Sequence, residues 1–538
     1  MPAIRHEALG GNRLVKCFAE RPASFYTLFA RAVAARAEHD ALAFDGRRWS
    51  YREAGAEVAR IAAGLAALGL ARGDRVAMLI GNRPEFVFVL FALQRIGAIA
   101  VPIGVRKQRP GVAFMSRQSG ASAIVFDADL ADRIPDAAEA PALRWRIAVG
   151  SAEGAHELGG LGAAGDGSAA PPIEVGEQDT AVILYTSGTT GHPKGAMLTH
   201  LNIAHSVLHY EACMRLGPDD RSALAVPASH VTGLIATIAA MAHVGGAVVI
   251  VPEFKAAHFI DLVERERITH TLMVPAMYNL CLLAPDFDAC DLASWRVGGY
   301  GGAPMPVATI DALAHKLPNL ALVNTYGATE TTSPTTMMPA GRTRDHADTI
   351  GVALPCAEVL VMDDDGREAA PGRIGELWIA GPMVVPGYWA NSEATAASFT
   401  AGFWHSGDLG SVDAEGYVRI HDRKKDMLNR GGYKIYSVEV ENALMAYAGI
   451  VEAAIVARPC PVLGERVHAV IHAPGVAHDD EKVRAHCRRL LADYKVPETI
   501  NWSDAPLPRN ANGKVLKRLL RESTASIEAP NKPQAQST

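Results

Sequence analysis

The stretch YTSGTTGHPKG, residues 185–195, sets three glycines, four Ser or Thr hydroxyls and one lysine in a single loop. Gly188, Gly191 and Gly195 let backbone N–H groups converge on an anion with no Cβ in the way. Thr186, Ser187, Thr189 and Thr190 add donors, and Lys194 adds charge. Together they make a phosphate cradle. The order is not the P-loop pattern GxxxxGK[ST], because Lys194 follows Gly191 by three residues and precedes Gly195. That disfavours a mononucleotide kinase or GTPase. A plain surface loop would not need every donor type in one place.

Elements must hold such a loop. The apolar run AVILY before it reads as a buried strand, and LTHLNIAHSVLHY behind it reads as a helix. Upstream, strand-like runs (RVAMLI, AIAVPI, SAIVF) alternate with helix-period segments (YREAGAEVARIAAGLAALGL, RPEFVFVLFALQRIG). That alternation predicts an α/β layered sheet. Strand and helix patterns recur downstream in GAVVIVP, HFIDLVERERI, HTLMVP, SWRVGGYGG and ALVNTYG. GSAEGAHELGGLGAAGDGSAAPP reads as a surface connection.

At 538 residues the chain exceeds what one core organises, so two or more domains are expected. The second begins near HDRKKDMLNRGGYKIYSVEVENAL, where a charged, glycine-bearing turn leads into a helix expected to be capped by Ser437, with Glu439 and Glu441 in its first turn. IVEAAIVA and RVHAVIHA read as strands and DEKVRAHCRRLLADY as an amphipathic helix, a small α+β unit. The expected organisation is a large multi-sheet α/β domain over 1–424, a small mobile α+β lid over 425–522, and a disordered tail over 523–538.

With 49% apolar and 20% charged residues the composition is globular, and a formal charge of -6 gives no footprint for nucleic acid or an anionic membrane surface. The seven scattered cysteines lack CxxC spacing, against a disulfide framework or zinc site. The N-terminus lacks the apolar core of a secretory signal, so a cytoplasmic location is expected. LIATIAAMAHVGGAVVIVP approaches bilayer-spanning length, but His243 and Gly245-Gly246 break it, so a core helix turning into a buried strand is expected rather than membrane insertion.

The loop at 185–195 resembles the phosphate-loop motif of the adenylate-forming superfamily, which includes acyl-CoA synthetases, stand-alone adenylation domains and firefly-type luciferases. GGAP (301–304), YGATE (326–330), SGDLG (406–410), DRKKD (422–426) and PRNANGK (508–514) follow in the family's order, so the resemblance covers nearly the whole chain. It implies a two-step reaction. A carboxylate attacks the α-phosphate of ATP and releases pyrophosphate, and a thiol, that of coenzyme A, then captures the acyl-adenylate. Both steps concentrate charge on oxygen and demand fixed donors and exclusion of water.

By resemblance, Thr186, Ser187, Gly188, Thr189, Thr190 and Lys194 hold the β- and γ-phosphates. Thr186 and Glu330 are the expected neighbours of Mg²⁺. Tyr326, Gly327 and Thr329 with Gly301, Gly302 and Ala303 form the adenine slot. Asp408 accepts the ribose hydroxyls and Arg423 assists. Lys514, on the Asn512-Gly513 turn, is the catalytic cation of adenylation alone. Rotation about Lys425 would then exchange the Lys514 face for the loop whose Gly431 and Gly432 admit pantetheine.

His230 matches the family's gate between acid and thiol routes. The acyl pocket would draw on His230, Val231, Gly233, Leu234, Met277, Tyr278 and Tyr300. No Arg or Lys stands there to pair a second carboxylate, which favours a monocarboxylic acid. Tyr300 stands where the family commonly has a small residue, so very long chains are expected to be poor substrates. The alternatives are an adenylation enzyme loading a carrier-protein phosphopantetheine and a non-catalytic nucleotide-binding module. No carrier domain follows residue 522, which favours free CoA, and the module would lack Lys514 or Glu330, both present. A homodimer is left open.

Overall fold

The computed structural model of the chain describes residues 3–10, 13–162, 172–186, 193–509 and 515–525. The chain divides into two compact units: Met1–Leu360, Trp378–His405 and Glu415–Val418 form the first, and Val361–Leu377, Ser406–Ala414 and Arg419–Thr538 the second. Both are mixed α/β, as the alternation of patterns implies.

Two large sheets organise the first unit. The nine-stranded sheet runs, edge to edge, Val352–Ala353, Thr336–Met337, Ala321–Tyr326, Val297–Tyr300, His270–Met273, Arg221–Leu224, Ala247–Ile250, Asp40–Phe44 and Arg47–Ser50. The seven-stranded sheet runs Lys194–Thr199, Thr180–Thr186, Ile99–Pro102, Arg75–Leu79, Ala123–Asp127, Trp145–Val149 and His156–Glu157. The three upstream apolar runs are its parallel centre. Helix Pro84–Arg95 is apolar on every face, and such a helix must be buried all round. Phe86 to Leu93 are all buried, and Phe91 meets Phe25 edge-on and stacks on Phe29 at 4.5 Å.

In the second unit, Tyr433–Ile435, Leu428–Arg430, Gly464–His472 and Glu452–Cys460 form a sheet in that order, with Thr499–Ser503 pairing Gly464–His472. Helices Ser437–Met445 and Asp480–Leu490 cover it, burying Val440, Leu444, Val483 and Cys487 against Ile455, Val467 and Ile471.

Several local expectations are corrected. The helix expected behind the glycine loop is His200–Met214, capped by Thr199, while Leu198 and Thr199, read as its start, end the strand Lys194–Thr199 that pairs antiparallel with Thr180–Thr186. Sheet pairing overrides the helical pattern there. The long apolar stretch from Leu234 is, as expected, helix, turn and strand, and no helix among the described residues is long and apolar enough to cross a membrane. Ser437 is the first residue of its helix rather than the cap, because its hydroxyl donates to Asp422. Of the two glutamates only Glu439 lies in the first turn, while Glu441 pairs with Lys517. Helix Lys517–Ala525 runs three residues into the stretch expected to be disordered, anchored by buried Leu520.

Helix His200–Met214 carries three buried histidines that each accept a backbone N–H: His200 Nδ1 from Phe25 (3.0 Å), His205 Nε2 from Phe18 (3.2 Å) and His209 Nε2 from Cys356 (3.4 Å). His205 Nδ1 donates to the Leu201 carbonyl at 3.0 Å, which fixes its neutral tautomer. Protonation would set an N–H against an N–H. Burial holds His200 and His205 down to about 4 and His209 to about 3, below the ordinary 6.5.

A depressed folded pKa means that the unfolded chain binds more protons between pH 6.5 and about 4, so stability falls as pH drops through that window. The expected slope is up to about 1.4 kcal/mol per pH unit for each histidine. Urea midpoints between pH 7 and 4.5 measure it. His205→Gln, which keeps an acceptor, should flatten the slope, and an unchanged slope would remove this histidine from the account.

Candidate active site

The parallel strands Arg221–Leu224, His270–Met273, Val297–Tyr300 and Ala321–Tyr326 are neighbours, so their carboxyl ends share one edge. Ligands of open α/β sheets bind outside that edge. The segments leaving it carry, in turn, His230, Met277 and Tyr278, residues 301–303, and residues 326–330. Sheet topology therefore gathers positions a hundred residues apart in sequence. A Cβ on Gly301 would lie 2.3 Å from the Thr325 carbonyl oxygen, so only glycine lets this turn pass against the strand that ends in Tyr326. Gly302, Ala303 and Gly327 are exposed beside it, and Tyr326 and Thr329 are half-buried.

Glu330 sits on the short turn Thr329–Thr331 and is 8% exposed. The Tyr388 hydroxyl donates to Glu330 Oε1 at 2.9 Å, and the Val385 N–H donates to the Glu330 carbonyl at 2.9 Å. Lys194 Nζ stands over the Tyr388 ring, 5.0 Å from its centroid. Thr186 lies opposite Lys194 in the antiparallel pair that flanks the glycine loop. The two ends of the phosphate loop and the acid of YGATE are thus neighbours through one tyrosine. Ser187, Gly188, Thr189 and Thr190, and likewise Lys514, lie outside the described residues.

No group of three or more His, Cys, Asp or Glu able to hold a metal occurs among the described residues. A single buried carboxylate suits Mg²⁺ all the same, since that ion uses one or two protein carboxylates alongside substrate phosphates and waters.

His230 is half-buried, and its Nδ1 accepts from the Thr232 N–H at 3.4 Å. Burial lowers its pKa to about 4, so the ring is neutral. The following residues, Thr232–Ala239, wind as a π-helix, a rare form that concentrates at functional sites. Gly233 belongs to it, and a Cβ there would meet the Pro227 carbonyl oxygen at 2.4 Å. Val231 is buried and Met277 half-buried. Tyr278 is fully buried, stacks on Trp295 at 5.7 Å, and donates to the Gly299 carbonyl at 2.7 Å. Tyr300, 1% exposed, fills the same cluster.

In the second unit Arg423 Nε pairs with buried Asp408 at 2.5 Å, from the paired strands Val418–Arg423 and Phe403–Val412. Lys425 is exposed, and its carbonyl accepts from Arg521 at 3.4 Å. Gly431 and Gly432 are the exposed turn between Leu428–Arg430 and Tyr433–Ile435, with φ of +58° and +88°.

Tyr388 is the residue that the motifs missed. PGYWANSEAT carries no spacing that marks it, since its partners lie far away in the chain.

The family signature described as AMP-binding enzyme spans residues 29–389, and that of the AMP-binding enzyme C-terminal domain spans 439–514. Feruloyl-CoA synthase of an Amycolatopsis species is 34% identical over 477 residues, covering 88% of this chain and 94% of that protein. The long-chain-fatty-acid–CoA ligase FadD13 of Mycobacterium tuberculosis is 34% identical over 480 residues, covering 88% and 93%. The structure of ATP-bound MatB from Rhodopseudomonas palustris is 32% identical and superposes with a TM-score of 0.85, covering 94% of this chain and 99% of that one. Motif order, carboxyl-edge geometry and these matches agree, and the chain belongs to the AMP-binding enzyme family of the adenylate-forming superfamily.

Proposed function

We propose that the protein is an acid–thiol ligase that activates a monocarboxylic acid with ATP and passes the acyl group to coenzyme A. The observation that carries this reading is the Lys194–Tyr388–Glu330 constellation, a cation over the face of one ring and a carboxylate at its hydroxyl. A triphosphate needs both, and bound Mg²⁺ would neutralise its oxygens beside Glu330 and Thr186.

In the first step a substrate carboxylate oxygen bonds to the α-phosphorus as the bond to the bridging oxygen breaks, and pyrophosphate leaves with that electron pair. Lys194 and the loop donors hold the β- and γ-phosphates as charge moves onto them. Tyr326 and residues 301–303 hold the adenine, Asp408 and Arg423 the ribose, and Lys514 meets the charge between the acid and the α-phosphate. In the second step the CoA sulfur bonds to the acyl carbon, AMP leaves, and the thiol proton passes to solvent. Neutral His230 separates the two approaches, and Gly431 and Gly432 admit the pantetheine arm after rotation about Lys425. Both relatives named above are CoA ligases by name, which supports CoA over a carrier protein as acceptor.

Those relatives carry the names of an aryl-acid and a long-chain-acid enzyme at equal identity, so resemblance does not choose the acid. The packing of Tyr300 with Tyr278 and Trp295 does favour a compact one, because it fills the space behind Val297–Tyr300 with aromatic rings. The test is a panel of aryl, cyclic and straight-chain acids with ATP, Mg²⁺ and CoA, read by AMP and pyrophosphate. Turnover is expected to peak on an aryl, cyclic or medium-chain acid and to decline toward palmitate. A maximum at palmitate would overturn the compact pocket, and no AMP from any acid would overturn the ligase reading itself.

A further inference from the structure

Tyr388 is set in place by its own backbone before any ligand arrives. Residues 387–389 run beside the strand Lys194–Thr199: the Met197 N–H donates to the Gly387 carbonyl at 3.1 Å, the Trp389 N–H donates to the Gly195 carbonyl at 2.7 Å, and Ala196 and Tyr388 form an antiparallel bridge. The Tyr388 N–H donates to Thr395 Oγ1 at 3.0 Å, and its ring meets Phe399 edge-on at 5.8 Å. The residue is 5% exposed. Burial and the Glu330 carboxylate both push its hydroxyl's pKa up, so the phenol stays protonated and remains a donor.

Two groups of opposite charge meet this fixed ring. The Lys194 ammonium lies over its face at 5.0 Å, where the ring's negative quadrupole attracts a cation. Glu330 Oε1 accepts from its hydroxyl at 2.9 Å, a bond that constrains the carboxylate's rotation.

Resting on the ATP reading above, we propose that Tyr388 is the positioning residue of the triphosphate site. Its face sets where the phosphate-binding Lys194 stands, its hydroxyl sets the orientation of the metal-facing Glu330, and so one side chain fixes the spacing of the two. The hydroxyl and the ring then have separable roles. Loss of the hydroxyl alone disturbs the magnesium-linked part of nucleotide binding, and loss of the ring disturbs the cation as well.

The test is calorimetric titration of the full chain with ATP, with Mg²⁺ and with chelator, for wild type, Tyr388→Phe and Tyr388→Leu. In wild type Mg²⁺ tightens ATP binding. In Tyr388→Phe that gain is expected to shrink by about tenfold, the scale of one hydrogen bond to a charged group, with metal-free affinity unchanged. In Tyr388→Leu metal-free binding also weakens, by about threefold, as the cation loses its platform. In a cycle with Glu330→Gln, adding Tyr388→Phe should cost little more, because both changes act on one bond.

Equal weakening of ATP with and without Mg²⁺ in Tyr388→Phe, or full additivity with Glu330→Gln, would overturn the proposal while leaving the ligase reading intact. Wild type that binds no ATP under either condition would overturn both. Thermal melts of each variant establish that the titrated protein is folded.

Discussion

Lys514→Ala is expected to slow pyrophosphate release by about 10²–10³-fold, the loss of one aimed donor at a site of developing charge. Thioester formation from supplied acyl-adenylate should keep its rate. The difference follows from where charge accumulates. During adenylation negative charge grows on the α-phosphate oxygens and the attacking carboxylate, and a lysine delivered there lowers the barrier. During thiol capture the acyl carbon is the reacting centre and AMP is the leaving group, and in the proposed mechanism this approach uses the Gly431-Gly432 face.

Lys514 lies outside the described residues, but the segments on either side of it are described and are held together. Arg509 and Val515 form an antiparallel bridge, and the Leu516 N–H donates to the Pro508 carbonyl at 2.7 Å. The Glu452 carboxylate holds one stem through the Leu507 N–H and the Arg509 guanidinium, each at 2.7 Å. The two half-reactions are measured separately, by release of pyrophosphate from acid and ATP and by thioester yield from synthetic acyl-adenylate and CoA. Equal loss in both would show that the lysine has no role peculiar to the first step.

Most of this architecture is legible because it rests on local pattern. The runs RVAMLI, AIAVPI and SAIVF are short, bounded by turn residues and alternate with longer helix-period segments, which suits strands of a sheet covered on both faces. The motifs are legible since glycine, hydroxyl and lysine in one loop serve few purposes besides binding an anion. What stayed hidden depends on partners distant in sequence.

Ser437 has the residue type of a cap, yet its hydroxyl is claimed by Asp422, 15 positions away. Tyr388 answers to Glu330, 58 positions away, and no window of sequence contains both. The π-helix at Thr232–Ala239 reads as ordinary helix, since apolar periodicity does not distinguish the two windings over eight residues. Motifs therefore nominate the groups proposed to touch ligand, and the folded structure shows which side chains pack against them.

Lys517→Met is expected to cost the second unit about 3–5 kcal/mol, because it strands a buried carboxylate. Lys517 Nζ lies 2.6 Å from Glu441 Oε1, with both side chains less than 15% exposed, and also donates to Ser437 Oγ at 2.6 Å. Glu441 Oε1 accepts the Ile455 N–H at 2.7 Å, and the Ser437 hydroxyl donates to buried Asp422 at 2.9 Å. Burial pushes the Glu441 carboxyl up, and the Lys517 charge opposes that push. Without the lysine the Ile455 N–H alone is left to oppose the upward push, so the variant's deficit is largest at neutral pH and shrinks as acid neutralises Glu441.

Pairing the change with Glu441→Gln should recover part of the stability, since of the two buried carboxylates only Asp422, still bonded by Ser437, then lacks the lysine's charge. Lys517 is also three residues from Lys514, and Asp422 is next to Arg423, so the same ionic cluster joins the segment that follows the proposed catalytic lysine to the strand bearing the proposed ribose contact. Lys517→Met should for that reason slow adenylation more than thioester formation, even at temperatures where it is fully folded. Hydrogen exchange in the strand Glu452–Cys460 along a urea series measures the stability term. The ratio of the two half-reaction rates measures the second effect, and an unaltered ratio in folded variant would confine Lys517 to holding the unit together.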